Sequence, residues 1–205
     1  YYEFQRGPYQ DASDVIDGIT STQYYKDIFS SFRFYGDKII QNLYIQNVKE
    51  NETIDLTKSE DMSCEYPIAG KKTYSGNYEL VFGDKTIDLG NKTFVQGEIY
   101  DKQVVVRKLP KTGKDIFIIY QYGTCISNEA YIYGYNDKLD KLFQYKFKNK
   151  GEKVLTDSLP VDYYGNIKIL SSSLGDNISL TMYNRETGKD IEYKYLLEDN
   201  LFVEE

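Results

Sequence analysis

A mainly β fold is what this sequence predicts, and three observations carry the prediction. Tyrosine (22 residues) and phenylalanine (10) supply every aromatic side chain, since tryptophan is absent, and both suit a pleated, half-buried surface. Beyond Tyr78, short alternating runs are broken by Gly, Asn or Asp roughly every 8 to 12 positions, the spacing of antiparallel meanders. One phrase also occurs twice, "LPKTGKDIFIIY" at 109–120 and "LPVDYYGNIKIL" at 159–170, offset by 50 residues. The expected architecture is a set of repeated antiparallel four-stranded meanders, built either as propeller-blade-like units or as a β-sandwich, behind a short helical N-terminal segment.

Residues 1–37 stand apart as that N-terminal helical or irregular segment. Ser13 is placed to cap a helix, Asp14 and Asp17 lie in its first turn, and Val15, Ile16 and Ile19 recur at helical spacing. The following "TQYYKDIFSSFRFY" fits either helix or strand. A β-domain is expected over 38–205, opening with the alternation of "KIIQNLYIQNV" and a polar connection at 49–62. Strands are then expected at 78–82, 93–99, 103–109, 115–122, 130–136, 141–148, 153–156, 166–172, 177–183, 189–196 and 201–204. The turns between them, such as Gly83-Asp84, Asn136-Asp137 and Gly175-Asp176-Asn177, hold residues suited to tight backbone geometry.

The doubled phrase extends into a longer correspondence. With an offset of 48, "YNDKLDKLFQYKF" (135–147) lies on "YNRETGKDIEYKY" (183–195), matching Tyr135 with Tyr183, Asn136 with Asn184, Lys141 with Lys189 and Tyr145 with Tyr193. Repeat units are therefore expected at about 115–156 and 166–204. A unit of this size carrying four strands needs a neighbour to bury its face.

Composition narrows the chemistry. Histidine is absent, which removes Ser-His-Asp and Cys-His catalysis and the HExxH zinc sites. No P-loop or GxGxxG occurs, no cofactor motif is present, and no acidic cluster has the ligand spacing of a calcium loop. No metal site, cofactor or catalytic residue is thus assigned. Carboxylate chemistry, as in glycoside hydrolysis, stays open to the 32 acidic residues. The net charge of −7 disfavours a nucleic-acid partner. Cys64 and Cys125 lack metal or redox spacing and are either free thiols or one disulfide; a bridge across such a loop would contribute about 4 kcal/mol.

Alternation also suggests a binding surface. In "ISLTMY", Ile178, Leu180 and Met182 share the core face, and the 48-residue offset places Ala130, Ile132 and Gly134 on the corresponding face. Tyr131, Tyr133 and Tyr135 then form an outward row with rings about 7 Å apart, suited to stacking on a sugar or on a partner's apolar patch. The other reading is that these rings are half-buried neighbours within the sheet. The expected function is a non-enzymatic β-domain that binds an extracellular protein or glycan; a carbohydrate-active hydrolase and a purely structural assembly domain are the alternatives.

The Tyr-, Asn- and Lys-rich style, with neither Trp nor His, resembles the ectodomains of uncharacterised surface lipoproteins from AT-rich Gram-positive bacteria. The resemblance is one of overall composition. It implies an extracellular or cell-surface location, with any membrane attachment through a lipid anchor outside this chain, and it assigns no site residue.

Overall fold

The protein is described by a computed structural model that covers residues 5–6, 31–36, 39–47, 52–55, 72–95, 104–124, 127–162 and 165–205. Among these residues the regular structure is all strand, and no helix is long and apolar enough to cross a membrane. The strands are β1 (Gln5–Arg6), β2 (Ser31–Gly36), β3 (Ile39–Asn47), β4 (Glu52–Asp55), β5 (Lys72–Phe82), β6 (Lys85–Val95), β7 (Val104–Lys108) and β8 (Asp115–Thr124). They continue as β9 (Ser127–Asn136), β10 (Lys141–Gln144), β11 (Lys146–Lys148), β12 (Leu159–Asp162), β13 (Lys168–Ser171), β14 (Asp176–Asn184), β15 (Lys189–Glu198) and β16 (Leu201–Glu204).

The expected helix around Ser13 lies outside the described residues, as do Cys64 and Cys125. Within 1–37 the described stretches are strands, and β2 pairs with β3 across the boundary expected at residues 37 and 38. The chain divides into two compact units, Tyr1–Ile54 with Tyr74–Thr93, and Asp55–Thr73 with Phe94–Glu205.

Among the described residues three open sheets are formed, none closed into a barrel. The first has the order β1-β2-β3-β5-β4, with β6 on β5. The second runs β10-β9-β8-β7, and the third β11-β16-β15-β14-β13. In the second sheet β12 and β10 share one side of β9: β12 pairs with residues 127–130 and β10 with 133–136. The expected strand 141–148 is thus two strands. It leaves the second sheet at Tyr145, whose N–H still donates to Ile132 O at 2.9 Å, and β11 then pairs parallel to β16 in the third sheet. The expected strand 153–156 is reduced to one bridge between Thr156 and Phe147, and β12 arises where the sequence suggested none.

Ile116, Ile118, Tyr120, Ala130 and Ile132 of the second sheet share one core with Ile178, Leu180, Tyr195 and Phe202 of the third. This is the face assigned inward by alternation. Rings knit it together: Tyr145 lies 5.2 Å from Phe202, and Phe147 stacks on Phe202 at 5.7 Å. Polar ties complete the join. The Ile167 N–H donates to the Tyr120 hydroxyl at 3.0 Å. The Asp176 carboxylate, buried at the start of β14, accepts the N–H groups of Lys111 and Thr112 at 2.7 and 2.9 Å, one on each oxygen. A buried charge held this way keeps its hydrogen bonds after leaving water, and it anchors the β7–β8 turn to the third sheet.

The β9–β10 and β14–β15 hairpins share a hydrogen-bond register at an offset of 48, whereas the β8–β9 and β13–β14 registers differ by one residue at that offset. The β9–β10 rungs Asn136–Lys141, Tyr135–Leu142, Gly134–Phe143 and Tyr133–Gln144 map onto the β14–β15 rungs Asn184–Lys189, Tyr183–Asp190, Met182–Ile191 and Thr181–Glu192. The Phe147–Thr156 bridge maps onto the Tyr195–Glu204 rung. The hairpin turns agree too, with positive φ at Asp140 (49°) and Gly188 (65°). Asn136 Oδ1 accepts from the Leu139 N–H and Asn184 Oδ1 from the Thr187 N–H.

Candidate functional site

The aromatic row is placed differently from the expectation. Tyr133 is only 2% exposed, cross-strand from Phe117 at 1%, so the face opposite the shared core is also covered at this point. The expected outward position of Tyr133 is therefore corrected. The cause lies in β8: Ile116, Phe117, Ile118, Ile119 and Tyr120 are all buried, and a continuous apolar run belongs to a strand covered on both faces. Tyr131 is half-buried and its hydroxyl accepts from Gln121 Nε2 at 3.3 Å. Tyr135 is half-buried, donates to Asp140, and lines a depression of about 320 Å³ beside Lys114, Asn136 and Phe143. The three rings do not converge on one exposed surface.

A larger cleft of about 490 Å³ opens in the second unit, where β12 meets β14 and β15. Leu180 and Met182 of β14, Tyr193 and Tyr195 of β15, and Leu159 and Pro160 of β12 give it an apolar lining. Alternation explains the lining, because these β14 and β15 side chains lie on the core face: Leu180 and Tyr195 are buried in the shared core, and Met182 and Tyr193, nearer the hairpin, are half-buried at its margin. Tyr183, 54% exposed, and Asn184 stand at the β14–β15 hairpin. Asn149, Lys150 and Glu152 of the β11–β12 loop contribute polar groups, as does Glu204 of β16.

The loop is fastened by hydrogen bonds. The Tyr195 hydroxyl donates to Asn149 Oδ1 at 3.0 Å, the Lys150 N–H donates to the Glu204 carboxylate at 2.7 Å, and Asn149 Nδ2 donates to the Glu152 carboxylate at 3.1 Å. The positive φ of Gly151 (79°) turns the loop between these anchors. Burial raises the Tyr195 hydroxyl above its ordinary pKa, and the nearby Glu204, Tyr193 and Glu152 raise it further. It therefore stays protonated and able to donate at neutral pH.

The arrangement combines ring faces and a thioether with amides and carboxylates in one concave surface, the composition of small-molecule sites. Its polar members, spread from residue 149 to residue 204, meet only in the folded chain. The one sequence signal that pointed here is the Tyr-Asn pair at 183–184, through its correspondence with 135–136. Among the described residues there is no group of three or more His, Cys, Asp or Glu side chains able to hold a metal ion. Compared with protein-family models, curated proteins and solved structures, the chain has no significant match.

Proposed function

We propose that this chain is a non-enzymatic β-domain, displayed outside the cell, that binds a glycan through the cleft between β12, β14 and β15. The observation that carries this reading is the cleft's composition: Tyr183 and Tyr193 offer ring surface, while Asn149, Asn184, Glu152 and Glu204 offer acceptors and donors. A sugar presents an apolar C–H face and a hydroxyl-bearing edge, and such a lining meets both. The cell-surface location rests on the acidic, histidine-free composition and its resemblance to surface lipoprotein ectodomains. The agreement of the β9–β10 and β14–β15 registers at an offset of 48 supports the further reading that the two meanders are copies of one unit, diverged in how deeply the tyrosine at 145 or 193 is buried.

Calorimetric titration with a panel of neutral oligosaccharides tests the proposal. Binding is expected, and Tyr193→Ala is expected to weaken it at least tenfold without unfolding the domain. No heat with any saccharide would retire the glycan reading.

One observation favours a second reading. Glu152 and Glu204 line the same cleft, as the two carboxyl groups of a glycoside hydrolase do. Both already accept N–H groups that hold the loop in place, which gives each a structural task. Release of reducing ends from an oligosaccharide, abolished by Glu204→Gln, would establish the hydrolase instead.

A further inference from the structure

Glu152 and Glu204 both line the cleft, and among the described residues neither has a lysine or arginine side chain within ion-pair distance. Their partners are the neutral N–H of Lys150 and the side-chain amide of Asn149. Lys150 also lines the cleft, but it is exposed and uses its backbone, not its ammonium, to reach Glu204. Two carboxylates without an ion-pair partner among the described residues therefore line the cleft with Tyr183, Tyr193 and Tyr195. Carboxylates attract a cation by Coulomb forces, and ring faces attract it through their quadrupole. A neutral ligand would leave both attractions unused. Two carboxylates fall short of the six to eight oxygens that calcium takes, whereas an organic ammonium needs only a few acceptors and a ring face.

Resting on the glycan reading, we propose that the cleft selects a saccharide carrying a free, protonated amine over its N-acetylated or unsubstituted counterpart. The amine sits between Glu152 and Glu204, and the sugar's C–H face lies on Tyr193.

The test is titration of glucosamine oligomers and N-acetylglucosamine oligomers of equal length and linkage, below the pKa of the sugar amine. The amine-bearing oligomer is expected to bind about tenfold more tightly at low salt. The gap should shrink severalfold in high salt, because exposed charges are screened there. It should close in the Glu152→Gln, Glu204→Gln double variant, whose amide oxygens still accept the loop's N–H groups. Should that variant be unstable, Glu152→Gln alone, on the exposed loop, is expected to narrow the gap about threefold. Equal binding of both oligomers by the wild type overturns the amine selectivity and leaves the glycan reading standing. Binding of neither overturns both.

Discussion

The two meanders of the second unit have the same hydrogen-bond register over 133–144 and 181–192, yet the first buries its tyrosine at 145 in the core and the second leaves its counterpart at 193 on a cleft wall. At the position 48 residues before Met182 the first meander has Gly134. A Cβ there would lie 2.7 Å from Phe143 Cζ and 2.8 Å from Tyr145 Cε2, so those rings occupy the space that a side chain would take. Tyr145 is consequently fully buried and packs on Phe143 and Phe202. In the second meander Met182 keeps its side chain, and Tyr193, the counterpart of Tyr145, is left half-buried on the cleft wall. The comparison teaches that one ladder can pack a ring into the core or leave it on a cleft wall, according to whether a single position carries a side chain.

The largest effect expected from this difference separates the counterpart tyrosines. Tyr145→Ala should cost about 3 to 5 kcal/mol, whereas Tyr193→Ala, at a half-buried site, should cost about 1 kcal/mol; urea unfolding of the two variants measures both. Comparable losses would break the contrast between the two meanders. Tyr133→Ala now belongs with the costly group, since that ring is buried.

Gly134→Ala comes next. The added methyl meets the rings of Phe143 and Tyr145, the latter packed on Phe202, and overpacking of this kind costs about 1 to 3 kcal/mol. Alanine at the counterpart position, Met182→Ala, should be milder and should enlarge the cleft.

Alkaline titration sharpens the same contrast. Burial first, and then Asp176, pushes the Tyr145 hydroxyl up from about 10 to about 12. The protonated phenol is the form the folded state favours, so its contribution is fully present below pH 10 and is lost as pH rises toward about 12. The slope is about 1.4 kcal/mol per pH unit for this one group. Unfolding free energies of the wild type and Tyr145→Phe between pH 9 and 11 should diverge, with the phenylalanine variant falling less steeply. Parallel curves would show that Tyr145 does not titrate differently in the two states.

The smallest effect is expected at the hairpin. Tyr183→Ala should change stability by no more than about 0.5 kcal/mol, and its outcome is read in oligosaccharide affinity, which should fall severalfold. A stability loss as large as that of Tyr145→Ala would place Tyr183 in the core and contradict its exposure.

Much of this architecture was legible in the sequence. Alternation located β8, β9, β14, β15 and β16 to within a few residues, because each has a face that must be buried against the other sheet. Alternation does not say what covers the second face, and that is why Tyr133 was expected to face outward. The unbroken run from Ile116 to Tyr120 was the available sign that this sheet is buried twice. β12 escaped notice because Leu159-Pro160-Val161-Asp162 is short and contains a proline, which pairs only at an edge. The cleft was invisible because its carboxylates, amides and rings are separated along the chain and are joined only by the fold.

The exchange of β11 between sheets carries a consequence for how the domain is made. Residues 146–148 find their parallel partner only when residues 201–203 exist, and β16 lies between β11 and β15. A nascent chain halted before residue 201 would hold two strands with open edges and a half-built aromatic core. Such edges recruit other chains, and long-range pairings of this kind form slowly. Synthesis of this domain therefore has a vulnerable interval that closes only once β16 has been made.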